Sequence, residues 1–314
     1  MVSETDKPLV TFALFAYNQE RFIREAVEGA FAQTYSPLQI ILSDDCSSDR
    51  TFEIMQEMVK DYTGPHNILL NRNAQNLGLG GHLNQVMEFA EGELIVVAAG
   101  DDISLPNRVS LLTDAFSADK ELFAVFSDIY HIDENSQSSN KVISTWRNDE
   151  FISSRQMLIS GGGVGPGASY AYRKQCFFWP YSYPSSIMNE DRILPFRASL
   201  IGKVRHISNP LVQYRLSDSG QSRSLPPHRL WAILKDIHVK ELLTTINSGV
   251  QCGITTSIDQ KMLEIAIQIG RTRAEWLSKL SQFPSIKNKL CARIINYYFR
   301  IHVFIRFNIF KPSK

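Results

Sequence analysis

Short apolar runs alternate with segments of helical periodicity along the first half of the chain. Each run ends in polar residues, which is typical of strands buried on both faces of a sheet. The segments 9–20 and 38–49 are each predicted to be a strand that ends in a polar turn, and further strands are predicted over 66–73 and 94–99. Helices are predicted over 21–34, 50–62 and 80–92. This alternation predicts an α/β fold with a mostly parallel sheet, whose strands are joined by right-handed crossovers.

The pattern is less regular in the second half. The predicted features are a strand over 123–133, a glycine-rich stretch over 161–174, a helix-forming segment over 187–202 and a last strand with its loop over 204–222. After the sequence SLPPHR the chain shows long helical patterns without strands. We therefore expect an α/β domain over residues 1–224 and a helical C-terminal region over 225–314.

Polar and acidic residues follow three of the predicted strands. Asn18 follows the first strand, Asp44 and Asp45 the second, and Asp101 and Asp102 the fourth. In open parallel sheets ligands bind outside the carboxyl ends of the strands, so these residues mark a candidate site. The two adjacent carboxylates Asp101 and Asp102 repel one another, which either a solvated turn or a bound cation would relieve. Mg²⁺ or Mn²⁺ suits such a pair, because both ions prefer carboxylate and phosphate oxygens.

Composition narrows the classes of protein to consider. The chain has 314 residues, of which 44% are hydrophobic, and its formal net charge of +1 argues against a nucleic-acid-binding protein. The four cysteines lack metal-binding spacing, so we expect reduced thiols in a cytoplasmic protein. The N-terminal segment does not have the layout of a signal peptide, and no apolar stretch has the length of a transmembrane helix. No GxGxxG follows the first strand and no P-loop motif is present, which argues against dinucleotide and P-loop sites.

Four segments carry a family resemblance through their order and spacing. They read VTFALFAYNQERFIREAVEGAFAQTY, IILSDDCSSDRT, NLGLGGHLNQVMEFAEGELIVVAAGDD and, further along the chain, NEDRILPFR. Together they resemble the inverting family 2 glycosyltransferases of the GT-A fold over residues 8–220. The resemblance implies an enzyme that moves a sugar from a nucleotide-diphosphate donor, with UDP favoured, to an acceptor hydroxyl. Such enzymes commonly serve bacterial polysaccharide or O-antigen assembly.

The resemblance also implies a donor site. It places Asp45 against the nucleotide base, Asp101 against the ribose or the sugar, and Asp102 on a Mn²⁺ or Mg²⁺ ion. Arg215 is expected either at the diphosphate or in a structural salt bridge, and His82 is expected on a helix surface rather than at the nucleotide. The nucleotide-binding residues implied are Ala16, Tyr17, Asn18, Glu20, Asp45, Asp101 and Arg215.

The catalytic residues implied by the resemblance lie in the NEDRILPFR segment. Asp191 matches the base that removes the proton from the acceptor hydroxyl as that oxygen attacks the sugar. Glu190 would orient the acceptor, and a surface Glu–Asp pair that begins a helix is the alternative. The chain departs from the family pattern at two places. Gly100 and Ala99 precede the acid pair where many members have a further acid, and Ser217 stands where many members have a histidine.

The end of the chain is basic and aromatic. Between Trp276 and Lys314 it has eight Lys or Arg residues and no Asp or Glu. The segment 286–314 is typical of an amphipathic segment in a membrane interface, and a helix that packs on the protein is the alternative. We expect a glycan or lipid-linked acceptor, possible contact of 286–314 with the inner face of the cytoplasmic membrane, and no nucleic-acid partner.

Two other functions stay open. A nucleotidyltransferase also combines a parallel sheet with paired acids and a metal. It would be expected to carry a glycine-rich loop with Arg or Lys after the first strand, where this chain has AYNQE. A non-catalytic scaffold at the membrane would retain the nucleotide pocket, and it would bind nucleotide without turnover.

Overall fold

The computed structural model describes residues 7–144, 146, 151–154, 156–157, 164–179, 190–216, 244–245 and 248–249. The basic tail 286–314, Ser217 and nearly all of the predicted helical region 225–314 lie outside the described residues. Within the part of the chain that is described, no helix is both long and apolar enough to cross a membrane.

Strands and helices alternate through the first half of the chain as predicted. The strands are β1 (Val10–Ala16), β2 (Leu38–Asp44), β3 (Asn67–Arg72), β4 (Leu94–Ala99), β5 (Ile103–Ser104), β6 (Leu122–Ile132), β7 (Ser138–Ile143), β8 (Phe151–Ile152), β9 (Tyr170–Arg173) and β10 (Lys203–Arg215). The helices are α1 (Ile23–Phe31), α2 (Thr51–Lys60), α3 (Gly78–Phe89), α4 (Arg108–Ala118) and α5 (Glu190–Ile201).

The strands form one mixed sheet in the order β3-β2-β1-β4-β9-β6-β10-β5, with β7 paired to β6 and β8 to β10. The first four strands in this order are mutually parallel, and β6 and β10 are parallel to each other. Strand β9 runs antiparallel between β4 and β6 and joins the two parallel parts. The predicted crossover arrangement is therefore confirmed for β1 to β4, and the α/β fold with helices on both faces of a central sheet is confirmed as a whole.

The first two strands end in polar turns, as predicted. β1 stops at Ala16 and β2 at Asp44. Two residues after each strand end the backbone turns sharply: Asn18 has a φ of 52° and Cys46 a φ of 61°. Positive φ values are incompatible with an extended strand, so the polar residues that follow each strand form loops. These loops lie at the edge of the sheet where the candidate site is built.

The sheet is packed on both faces, which explains the unbroken apolar runs. Adjacent residues of β1 pack on opposite faces of the sheet. Leu14 belongs to a buried cluster formed with α1, α2 and α4, and Phe15 belongs to a second cluster formed with α3 and α5. Close packing of both layers holds the ends of β1, β2 and β4 in a fixed relation to one another.

Candidate active site

The loops after β1 and β2 are fastened together at the carboxyl edge of the sheet. The backbone N–H of Asn18 donates to Ser47 Oγ at 2.8 Å, and the side-chain oxygen of Asn18 accepts from the N–H of Ser48 at 2.9 Å. The Glu20 carboxylate accepts from the N–H of Arg50 at 3.0 Å. Asparagine tolerates the left-handed backbone conformation at position 18 better than most residues. The side chains of Asn18 and Glu20 therefore build this double loop.

Ala16 and Tyr17 take different places beside the double loop. The Ala16 carbonyl accepts from the N–H of Asp45 at 2.9 Å and so joins the ends of β1 and β2. The Tyr17 side chain is one of the exposed large apolar groups, with a relative exposure of 39%. An exposed aromatic ring at the edge of a site can stack on a nucleotide base.

Asp44 and Asp45 are both buried but have different partners. Asp45 is 3% exposed, and its Oδ1 accepts from Asn73 Nδ2 at 2.7 Å and from the N–H of Leu77 at 2.9 Å. Asp44 binds Ser47 through both of its oxygens: Oδ2 accepts from the Ser47 N–H at 2.9 Å, and Oδ1 accepts from the Ser47 hydroxyl. Asp44 thus closes the turn after β2, and Asp45 is the carboxylate with an oxygen left for a ligand.

Asp101 and Asp102 follow β4 in a turn that buries their carboxyl groups. Asp102 is 6% exposed, and its Oδ1 accepts from the backbone N–H of Arg215 at 2.8 Å. Burial raises the pKa of Asp102 well above its usual range, and the neighbouring Asp101 raises it further. Burial also raises the pKa of Asp101. A solvated turn was one of the two explanations for this acid pair. It does not fit Asp102, because Asp102 is buried.

Arg108, in the first turn of α4, is a buried cation close to this pair that sequence reasoning missed. It is 0% exposed, and it donates to Ser104 Oγ at 2.8 Å and to the Val97 carbonyl at 2.7 Å. Burial lowers the pKa of Arg108 to about 9, and the nearby Asp102 acts in the opposite direction. Charged residues are rarely fully buried unless they are paired. No buried helix face was predicted over this segment, so the sequence carried no signal for Arg108.

The Arg215 side chain forms the structural salt bridge that was one of its two predicted roles. The Arg215 guanidinium donates to the Asp101 carbonyl at 2.8 Å, the Asp133 carbonyl at 2.9 Å and Ser136 Oγ at 3.0 Å. It also donates to the Glu25 carboxylate on α1. Four of its five N–H donors are thus engaged inside the protein, and its side chain is 0% exposed. In this arrangement Arg215 holds the turn that carries Asp101 and Asp102.

Glu190 and Asp191 form the first turn of α5 and are partly buried. A Cβ atom added at Gly167 would lie 2.1 Å from Glu190 Oε1, so the glycine-rich stretch passes directly against this carboxyl group. Burial and the adjacent Asp191 together raise the pKa of Glu190 to about 8. A fully solvated helix start would not produce this shift, so the pair is not a simple surface feature.

Tyr214 shows that the two acid pairs surround one region. It lies on β10 next to Arg215, and its hydroxyl has a raised pKa. Burial is the largest cause, and the four further causes are the negative charges of Asp102, Asp101, Asp191 and Glu190. Electrostatic effects of this kind require proximity. The pairs are far apart in the sequence, and the ends of β4, α5 and β10 bring them together around Tyr214.

His82 is not on a helix surface, and that prediction was wrong. It is 3% exposed, lies 2.7 Å through Nε2 from Ser43 Oγ, and packs edge-on against the ring of Phe15 at 5.1 Å. Burial lowers the pKa of His82 to about 4, so the imidazole is neutral at neutral pH. The prediction failed because the face of α3 that carries His82 packs against the sheet.

The acid pair after β4 fits a hard divalent cation. Among the described residues there is no group of three or more His, Cys, Asp or Glu side chains that could hold a metal. Mg²⁺ and Mn²⁺ do not need such a group, since they are commonly bound by one or two carboxylates together with phosphate oxygens of a substrate. Burial raises the pKa of both Asp101 and Asp102, and a bound cation would oppose this by stabilising their ionised forms.

The fold is similar to that of solved structures. S. aureus TarS 1–349 in complex with UDP-GlcNAc gives a TM-score of 0.54 at 15% identity, with 82% of this chain and 79% of that chain covered. The mannosyltransferase PcManGT from Pyrobaculum calidifontis, in complex with GDP-Man and Mn²⁺, gives 0.56 at 14% identity, with 99% and 89% covered. At these identities the likeness establishes the fold alone, which is GT-A as predicted.

Sequence comparison gives the family. The uncharacterized glycosyltransferase MJ1057 of Methanocaldococcus jannaschii is 32% identical over 137 residues, which are 43% of this chain and 46% of that protein. The match therefore spans less than half the length of this relative. The family described as Glycosyl transferase family 2 matches residues 11–177, more than half of the 314 residues. The chain therefore belongs to glycosyl transferase family 2.

Proposed function

We propose that residues 1–224 form a catalytic unit that transfers a sugar from a nucleotide-diphosphate donor to an acceptor hydroxyl, with inversion at the anomeric carbon and with a divalent metal. One observation carries the proposal. Two pairs of acids, Asp101–Asp102 and Glu190–Asp191, lie around Tyr214 at the carboxyl edge of the sheet. One pair suits a metal-bound diphosphate, and the other suits the acceptor.

The donor nucleotide lies along the loops after β1, β2 and β4 in this proposal. Asp45 accepts a hydrogen bond from the base through the oxygen that the protein leaves for a ligand, Tyr17 stacks on the base, and Asp101 binds the ribose or the sugar. Asn18 and Glu20 contribute by shaping the double loop. TarS with UDP-GlcNAc and PcManGT with GDP-Man share the fold, which supports a nucleotide-sugar donor. UDP is our expectation for the base.

Asp102 holds Mn²⁺ or Mg²⁺ with help from Asp101, and the Mn²⁺ in the PcManGT structure supports this choice of ion. When bound, such an ion stabilises the charge that develops on the departing diphosphate. The residues around the pair keep it in place. Arg215 donates a backbone hydrogen bond to Asp102 and a side-chain hydrogen bond to the Asp101 carbonyl. Arg215 therefore supports the donor site through Asp101 and Asp102.

Asp191 acts as the base. It removes the proton from the acceptor hydroxyl while that oxygen attacks the anomeric carbon on the side opposite to the diphosphate. The pKa of Glu190, raised to about 8, keeps a proton on Glu190 at neutral pH. A protonated Glu190 can donate a hydrogen bond to the acceptor, and in this proposal Asp191 is the group that accepts the proton. Two adjacent carboxyls with different protonation states can divide the orienting and proton-accepting roles in this way.

The acceptor is a glycan or a lipid-linked sugar, and the tail 286–314 would bring the enzyme to a membrane surface. The cluster of Lys and Arg among aromatic residues in that segment supports this part of the proposal. Flotation of the full chain with vesicles tests it. We expect the chain to bind anionic vesicles and salt to weaken this binding. If the chain binds neither anionic nor neutral vesicles, membrane contact is contradicted.

Calorimetric titration of UDP, GDP, dTDP and CMP, each with and without Mn²⁺, tests the donor site. We expect one nucleotide to bind in a metal-dependent manner, and we expect Asp102→Ala to lose this binding. Donor hydrolysis or transfer then separates the alternatives. A glycosyltransferase releases nucleoside diphosphate, a nucleotidyltransferase releases pyrophosphate from a nucleoside triphosphate, and a scaffold binds without turnover. NMR of the transferred sugar reports whether its anomeric configuration is inverted.

A further inference from the structure

We propose that Asn73 and His82 are positioning residues, which orient the Asp45 carboxylate and thereby determine which nucleotide bases the donor site accepts. The inference rests on the proposed function, in which Asp45 binds the base. Neither Asn73 nor His82 was singled out as a binding residue from the sequence. Both lie in a continuous line of hydrogen-bonded side chains that ends on Asp45.

The line begins at Asp45 and runs across β2 and β3 to α3. Asn73 donates to Asp45 Oδ1 at 2.7 Å, and Asn71 donates to Asn73 Oδ1 at 3.0 Å. The same Asn71 amide donates to Ser43 Oγ at 2.9 Å, and Ser43 Oγ lies 2.7 Å from His82 Nε2. Asp45, Asn73, Ser43 and His82 are all at most 6% exposed. Hydrogen bonds shielded from water in this way are stronger than those at the surface.

The directions of these hydrogen bonds are fixed by counting donors. The two N–H groups of the Asn71 amide are used by Ser43 and Asn73, so Asn73 receives a hydrogen bond on its oxygen and must donate through its nitrogen. That nitrogen, together with the Leu77 N–H, donates to Oδ1 of Asp45. Asp45 is consequently an acceptor. Within the described residues its Oδ2 receives no hydrogen bond, and this oxygen is the one presented to the base.

His82 anchors the far end of the line. Its ring is held between Phe15 and Ser43, and burial keeps it neutral by lowering its pKa to about 4. The negative charge of Asp45 opposes this shift, because it raises the pKa of His82. The hydrogen bond between His82 and Ser43 fixes Ser43 Oγ, which in turn orients Asn71. His82 therefore acts on Asp45 through three intervening side chains and does not need to touch the nucleotide.

A carboxylate held opposite the ring nitrogen on the Watson–Crick edge selects bases that carry a hydrogen on that nitrogen. Uracil and thymine carry hydrogen on N3 and guanine on N1, whereas the corresponding ring nitrogens of cytosine and adenine carry none and are acceptors. Two acceptors facing each other repel, and a buried acceptor without a donor is unfavourable. The structure thus assigns the donor to the uridine, thymidine or guanosine class, and it assigns the discrimination against cytidine to the orientation of Asp45.

The test compares binding of UDP, dTDP, GDP and CDP in the presence of Mn²⁺, by calorimetry on the full chain. The base preference is defined as the affinity for whichever of UDP, dTDP and GDP binds most tightly, divided by the affinity for CDP. Asn73→Ala removes one of two donors to Oδ1 and is expected to lower this preference about tenfold, the effect of losing one charge-assisted hydrogen bond. His82→Phe keeps a ring against Phe15 and is expected to lower the base preference by a smaller factor. Gln75→Ala, an exposed change in the same loop, is the matched control and is expected to leave it unchanged.

Three outcomes would overturn the inference. If Asn73→Ala weakens all four nucleotides by the same factor, Asn73 only supports the fold and the inference is overturned. If the wild type binds UDP and CDP equally, the inference is overturned while nucleotide-dependent transfer stands. If the wild type binds no nucleotide, the proposed function fails and the inference fails with it. Melting curves accompany each variant, and Asn73→Ser, which retains a short donor, replaces Asn73→Ala if the latter does not fold.

Discussion

Replacing Arg215 by lysine separates the two roles predicted for this residue. Lysine keeps the positive charge that a diphosphate would need, but a single ammonium group cannot reproduce the planar set of hydrogen bonds of a guanidinium. In the structure these hydrogen bonds reach the Asp101 carbonyl, the Asp133 carbonyl, Ser136 and Glu25. If the structural role is correct, Arg215→Lys destabilises the protein even when no nucleotide is present.

The magnitude follows from the bonds that are lost. A lysine at 215 can retain the ion pair with Glu25 but loses the three hydrogen bonds to Asp101, Asp133 and Ser136. At about 1 kcal/mol for each buried hydrogen bond, the free energy of unfolding falls by about 3 kcal/mol. For a unit the size of residues 1–224 that corresponds to a fall in melting temperature of roughly 6–12 °C.

Thermal unfolding without ligand measures this effect, and Arg21→Lys is the matched control. Arg21 pairs with Glu134 at 3.2 Å in the same turn between β6 and β7, but its side chain is 60% exposed. Exposed pairs contribute at most about 1 kcal/mol and lysine keeps the charge, so Arg21→Lys should barely change the melting temperature. An Arg215→Lys protein that melts like the wild type and binds UDP–Mn²⁺ more weakly would refute the structural role and favour the diphosphate contact.

Four further changes test the site. Asp191→Asn should reduce the rate of transfer by roughly 10²–10⁴ while leaving nucleotide affinity intact, measured by turnover and calorimetry. Asp102→Asn, or a chelator added to the wild type, should abolish the Mn²⁺-dependent part of nucleotide affinity. Gly167→Ala should displace the flexible end of Glu190, which a new Cβ would meet at 2.1 Å, so turnover should fall more than melting temperature. Glu190 takes up a proton on folding between its ordinary pKa of 4.5 and about 8, so wild-type stability falls as pH rises through that window. The melting temperature of Glu190→Gln minus that of the wild type should therefore be larger at about pH 8 than at about pH 5.

Local patterns were sufficient for the elements of the first half of the fold. An apolar run that ends in polar residues predicts a strand buried on both faces, and β1, β2 and β4 follow this pattern. Strand β3 was also predicted, but it lies at the edge of the sheet and is only partly buried. Strand β9 (Tyr170–Arg173) was indicated by the family resemblance of Ala168–Lys174 and not by a local pattern. It lies within the glycine-rich stretch 161–174, where it pairs with β4 and β6. Strand propensity depends on such partners more than on the residues themselves.

The sequence determined by itself that this is a family 2 α/β protein with acidic residues at the carboxyl ends of its strands, because those signals lie within short segments of fixed spacing. Only the tertiary structure decided how the residues are used. Asp44 closes a turn while Asp45 keeps an oxygen for a ligand, and Arg215 is hydrogen-bonded to α1 and to two turns. His82 is buried against Phe15. These differences arise from burial and from hydrogen bonds between residues distant in the chain, and a linear pattern does not contain either of them.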